Sequence, residues 1–197
     1  FKIEDNPSLD PVFISNIKRE YQGLWYSRYI DGAWVLAEGT IFDFFDREKH
    51  TISFPPGAAE YYIVGVDYGT SNPCVFALIG YSSKTQPNRW LEKEYYWDGR
   101  KEQRQKTDSD YANDLKKFLS GYNVKAIYID PSAVSFKVEL AQQGFSGVID
   151  AQNEVLDGIR FHSNMLMNGG LRICQNCTHS IHEYGSYRWD DKACARG

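Results

Sequence analysis

The chain has 197 residues, enough for one substantial α/β domain with a short appendage. Hydrophobic residues make up 42% and no apolar run approaches the roughly 20 residues that span a bilayer, which excludes a membrane-spanning helix. The net charge of −4 points away from a uniformly basic nucleic-acid binder, whereas carboxylates gathered around a bound cation would account for part of the excess.

The first 58 residues read differently from the rest. Asn6-Pro7-Ser8-Leu9-Asp10-Pro11 is a turn-rich entry, and helical spacing predicts a helix over 10–24 with Val12, Ile14, Ile17 and Tyr21 buried. An aromatic-rich stretch follows, YQGLWYSRYIDGAWVLAEGTIFDFF, which has no single period and mixes helical with strand-like signals. Pro55-Pro56-Gly57 then breaks the chain. Residues 1–58 are expected to form a connector packed on a main domain of 59–197. Phe1 is not an initiator methionine and the chain stops abruptly at KACARG, so a fragment of a longer protein is expected. The opening FKIEDNPSLD lacks the basic start and apolar centre of a secretory signal.

From Tyr61 onward three strands are predicted in succession. YYIVGVDYG, PCVFALIGYSS and NRWLEKEYYWDG are separated by turn residues, as antiparallel neighbours would be. A helix over 108–120 would be capped by Asp108 or Ser109, with Tyr111, Leu115, Phe118 and Leu119 on one side. VKAIYIDPS is a further strand, 133–143 a helix closed by Gly144, and GVID a short buried strand. A helix over 155–167 ends at Gly169-Gly170, LRIC is a last short strand, and Ile181 opens a final helix. Three antiparallel strands followed by alternating helix and strand give an α/β fold, an RNase H-like mixed sheet flanked by helices.

Cys174 and Cys177, with His179 and His182, spell C-x2-C-x-H-x2-H. Zinc modules separate two ligand pairs by a dozen residues so that the chain can wrap the ion, and four ligands within nine residues do not. Reduced thiols packed near a strand end are expected instead.

Two acids occupy matched positions. Asp67 follows Ile63-Val64-Gly65-Val66, and Asp130 follows Ala126-Ile127-Tyr128-Ile129. A carboxylate ending a buried apolar run is costly unless its charge is compensated. Each could merely cap a turn, Asp67 before Tyr68-Gly69 and Asp130 before Pro131. Together, on strands in this order, they suit hard divalent cations, Mg²⁺ or Mn²⁺. Two such ions about 4 Å apart activate a water and stabilise the leaving oxygen of a phosphodiester. Asp67 and Asp130 are thus the candidate metal-binding and catalytic residues. The exposed run DGRKEQRQK supplies Arg100, Lys101, Arg104 and Lys106 as candidate DNA phosphate contacts, with a solvated loop as the plainer alternative. Asp157 in VLDGIR is assigned to an ion pair with Arg160.

GVDYGTSNP is also similar to the opening strand and Gly-Thr turn of sugar kinases and actin-like ATPases. Those proteins need a second phosphate loop and two lobes, and 197 residues hold neither. The segment NPSLDPVFISNIKREYQGLWYSRYIDGAWVLAEGTIFDFF, followed by GVDYGTSNP, YIDPSA, NEVLDGIR and EYGSYRWDDKA, resembles large terminase subunits of tailed phages and prophages. The motifs keep their order over nearly the whole chain. The resemblance implies a nuclease that cuts concatemeric double-stranded DNA in genome packaging, joined through residues 1–58 to an ATPase motor. No Walker-type GxxxxGK[ST] occurs in this sequence. It further implies the portal protein and the small terminase subunit as partners and the host cell cytoplasm as the setting. By motif, Asp67 resembles the family's first metal-binding acid and Asp130 its second. The third has no match here, since Asp190 and Asp191 belong to the WDDK element. A non-catalytic module that docks DNA or the portal is the alternative of a different class.

Overall fold

The structure is a computed structural model and describes residues 2–21, 26–27, 29–33, 39–69 and 72–189. They fall into two compact units, one drawn from the described residues within 1–45, 154–168 and 182–197, the other from those within 46–153 and 169–181.

The second unit is built on a seven-stranded mixed sheet among the described residues. Its strands are β1 (Thr51–Ile52), β2 (Tyr61–Asp67), β3 (Cys74–Tyr81), β4 (Arg89–Trp97), β5 (Val124–Ile129), β6 (Val148–Asp150) and β7 (Leu171–Cys174). They lie in the order β1-β7-β4-β3-β2-β5-β6. The central β2-β3-β4 meander is antiparallel, as the turn-separated runs predict, while β5, β6, β7 and β1 add in parallel. Parallel neighbours need crossover connections, and the helical segments between β4, β5 and β6 supply them.

One sheet face buries Val64 and Val66 of β2, Phe76 and Leu78 of β3, and Ile127 and Ile129 of β5. Against them pack Tyr111 and Leu115 of helix α3 (Asp108–Phe118) and Phe136 and Leu140 of α4 (Val134–Gln142). Each such side chain contributes about 1.5–3 kcal/mol by leaving water. The alternation of β3 follows from this one-sided burial, because every second residue from Cys74 to Gly80 is buried.

Several local expectations shift. Helix α3 is capped by Thr107 and not by Asp108 or Ser109, because the Thr107 hydroxyl accepts the Asp110 amide at 3.2 Å while the Asp110 carboxylate accepts the Thr107 amide at 3.0 Å. GVID is an edge strand, and its Ile149 is 44% exposed rather than buried. The last helix, α6 (Thr178–Ser186), starts three residues before Ile181. The Glu94 carboxylate on β4 accepts the His179 and Ser180 amides at 2.7 and 2.9 Å, and so satisfies two of the donors of its first turn. Helix α2 (Arg47–His50) and β1 are too short for a periodic signal; Asp46 caps α2.

In the first unit, helix α1 (Pro11–Glu20) is capped by Asp10, which accepts the Val12 amide at 2.7 Å. Ile14 and Ile17 are half-buried, but Val12 is exposed. Two residues turn an α-helix by about 200°, so Val12 lies opposite Ile14. Helix α5 (Val155–Met167) runs as predicted. Its His162 is hydrogen-bonded to the Tyr184 hydroxyl at 2.5 Å, edge-on to Phe42, and burial pushes the imidazole down to about 4.

Candidate metal centre

Strands β2 and β5 are parallel neighbours, with Val64 beside Ile127, Gly65 beside Tyr128 and Val66 beside Ile129. Asp67 and Asp130 each stand one residue beyond that last pair. Val66 and Ile129 face the buried core, so strand alternation turns both acids to the opposite face, side by side at the carboxyl ends of their strands. Two turns hold them there. After Asp67 the chain folds back so tightly that a Cβ on Gly69 would meet the Asn72 carbonyl oxygen at 2.5 Å. After Asp130, Pro131 ends the strand, and Asp130 Oδ1 accepts the Ser132 amide at 2.7 Å in an Asx turn.

The two carboxyls are tuned in opposite directions. Desolvation by surrounding protein, and next the Asp130 charge, raise the proton affinity of Asp67 above that of an ordinary carboxyl. Hydrogen bonds from Ser132, and then from Asn153, hold Asp130 below its ordinary value; Lys137 adds a smaller electrostatic pull. The Asn153 side-chain amide donates to Asp130 Oδ2 at 2.7 Å. Lys137 on α4 donates to the Pro131 carbonyl at 2.9 Å and to Asp150 Oδ1 at 2.7 Å, tying the end of β5 to α4 and β6. Among the described residues neither Asp67 nor Asp130 forms a salt bridge.

Two adjacent carboxylates, one of them raised in proton affinity by desolvation and then by its neighbour, form an oxygen donor set that suits a hard divalent cation. Among the described residues no group of three or more His, Cys, Asp or Glu side chains converges to hold a metal. Asp190 and Asp191 lie outside the described residues. Sequence reasoning missed Asn153 and Lys137. Asn153 opens the NEVLDGIR motif, but an exposed amide carries no periodic signal, and its partner lies 23 residues away.

The basic run divides. Lys106 is drawn inward: it donates to Asp114 and, at 3.0 Å, to the Tyr95 hydroxyl, and lies 3.7 Å from the centre of the Trp97 ring. With its side chain 12% exposed, it is a structural cation and is withdrawn from the phosphate-contact set. Lys101 is exposed and only loosely paired with Asp98, at 3.8 Å. Arg100 and Arg104 are exposed in the same turn. Cys174 and Cys177 are buried free thiols, the Cys177 thiol directed at the Leu91 carbonyl, and burial pushes Cys174 up to about 11. The Asp157–Arg160 ion pair is present at 3.3 Å.

No family model matches the chain. A curated relative, the terminase large subunit of Escherichia phage T5, is 26% identical over 193 residues, covering 94% of this chain and 42% of its own length. The large terminase of a thermophilic bacteriophage, solved with ATP-gamma-S, is 43% identical with a TM-score of 0.88, covering 100% of this chain and 49% of that one. The chain therefore spans about half the length of these relatives. The P22 large terminase nuclease domain shares the fold at 14% identity and a TM-score of 0.63, over 80% of this chain and 84% of that one. The large terminase nuclease of thermophilic phage G20c, solved with bound cobalt, does so at 16% identity and 0.53, over 77% and 81%. The RNase H-like fold is common to these nuclease domains and this chain.

Proposed function

We propose that this chain, a homologue of phage large terminase subunits, is a metal-dependent endonuclease that cuts concatemeric double-stranded DNA during genome packaging. The observation that carries the reading is the adjacency of Asp67 and Asp130 at the ends of neighbouring parallel strands. The fold shared with terminase nuclease domains, one of them holding cobalt, supports it. Mg²⁺ or Mn²⁺, as two ions, would supply an activated water and charge neutralisation at the phosphodiester. Asp67 and Asp130 would hold them through carboxylate oxygens. Asn153 and Ser132 fix the plane of the Asp130 carboxylate and keep it ionised, so that its remaining lone pairs are aimed before any ligand arrives. Arg100, Lys101 and Arg104 would neutralise DNA phosphate outside the cutting centre.

Residues 1–58 would connect this nuclease, 59–197, to an ATPase portion of a longer protein. The portal protein and the small terminase subunit would be its partners in the host cell cytoplasm. No helix among the described residues is long and apolar enough to cross a membrane. The absence of a third converging acid among the described residues favours one rival, a module that docks DNA or the portal without chemistry. Plasmid cleavage with Mn²⁺ separates the two. The nuclease reading expects nicking that Asp67→Ala abolishes, and equal cutting by wild type and variant would remove it.

A further inference from the structure

Resting on the nuclease reading, we infer that Tyr96, His179 and Lys101 form a docking surface for the sugar–phosphate backbone of the duplex being cut. The sheet register carries the argument. Asp67 is paired with Val75 on β3, and Val75 with Tyr96 on β4. The neighbours of Tyr96 on β4, Tyr95 and Trp97, turn to the core side: Tyr95 stacks on Phe76, and Trp97 packs against the core cluster. Tyr96 therefore shares the face of Asp67 and Asp130, on the same rung of the sheet. Two strand spacings place it about 10 Å from Asp67, close to three base steps along one strand of B-DNA.

At that point the surface becomes aromatic, with the Lys101 ammonium beside it, 3.8 Å from Asp98. The His179 ring stacks on Tyr96 with centroids 4.0 Å apart and planes within 2°. The Lys101 ammonium stands 5.8 Å from the centre of the same Tyr96 ring, which puts this part of the basic turn on the acid-pair face, whereas Lys106 lies under the opposite one. The Glu94 carboxylate sets the position of His179 by capping its helix through the His179 and Ser180 amides. Among the described residues, neither the Tyr96 hydroxyl nor the His179 ring makes a hydrogen bond. A phenol, an imidazole and an ammonium with donors to spare match phosphate oxygens and carry no base code, so the contact is independent of sequence. A strand seated there has its backbone held about 10 Å from the carboxylates that would receive the scissile phosphate.

The test is titration of a labelled duplex, with anisotropy readout in EDTA at low salt so that no metal contributes. Lys101→Glu is a surface change that leaves the fold intact. It should weaken binding about fivefold or more and make the salt dependence shallower by about one ion. The double change Tyr96→Ser with His179→Ala should also weaken binding, and by more than Tyr96→Phe, which removes the phenol donor alone. In all of them the heat of Mn²⁺ binding should be unchanged, because the acid pair is untouched. Affinity of Lys101→Glu or of the double variant within twofold of wild type overturns the inference, as does a wild type that fails to bind duplex in EDTA. Asp67→Asn is the separate control for the nuclease reading, expected to lose Mn²⁺ heat and cutting but to keep duplex affinity.

Discussion

The Asn153 side-chain amide donates a 2.7 Å hydrogen bond to Asp130 Oδ2, while Oδ1 of the same carboxylate accepts the Ser132 amide at 2.7 Å. Both oxygens are thus oriented before a cation binds. Partners of this kind typically contribute 10- to 100-fold to metal affinity. Asn153→Ala is therefore expected to weaken Mn²⁺ binding by about that factor in calorimetry. Asn153 is exposed, so the melting temperature without metal should stay within about 1–2 °C of wild type.

Asp67 has the opposite linkage. Its proton affinity is higher folded than unfolded, so its ionised form opposes folding. The penalty is complete above the raised folded pKa and disappears as pH falls below the unfolded value. Asp67→Asn should accordingly raise the melting temperature at neutral pH in EDTA, and the gain should shrink in acid. Adding Mn²⁺ reverses the order. At a hundredfold excess over Kd the wild type gains about 2.7 kcal/mol and the variant none. A wild type that is already the more stable protein in EDTA would contradict the electrostatic account.

Lys106 and Lys101 lie five residues apart and have different roles. Lys106→Ala removes the cation paired with Asp114, leaving it the Tyr95 hydroxyl, and uncovers Trp97, and should cost about 1–3 kcal/mol in denaturant unfolding. Lys101→Ala removes only a loose surface pair and should change stability by less than about 0.5 kcal/mol.

Phe136 is fully buried, with its ring stacked on Tyr68 at 4.8 Å and edge-on to Tyr111 at 6.4 Å. Tyr68 directly follows Asp67, so the same ring supports the turn behind the acid pair. Phe136→Ala should cost about 3–5 kcal/mol of stability and also weaken Mn²⁺ binding. Loss of stability with metal affinity intact would separate the core from the acid-bearing turn.

The succession of strands from Tyr61 and the meeting of Asp67 with Asp130 were legible because each acid ends an apolar run that a turn former then breaks, Gly69 after Asp67 and Pro131 after Asp130. What remained hidden depends on partners distant in sequence. Nothing local in Asn153 announces Asp130, and nothing in Glu94 announces the helix it caps 85 residues later. Lys106 and Lys101 read alike in a basic run, and only the alternation of β4 sends one under Trp97 and the other over Tyr96. The grouping of 154–168 with the first 45 residues is likewise a product of tertiary packing that no pattern in either segment records.

The most direct measurement is an anomalous difference map from crystals soaked in manganese. The account predicts density between the side chains of Asp67 and Asp130, lost in crystals of Asp67→Asn. Manganese bound elsewhere on the chain, with none between these two carboxylates, would contradict it.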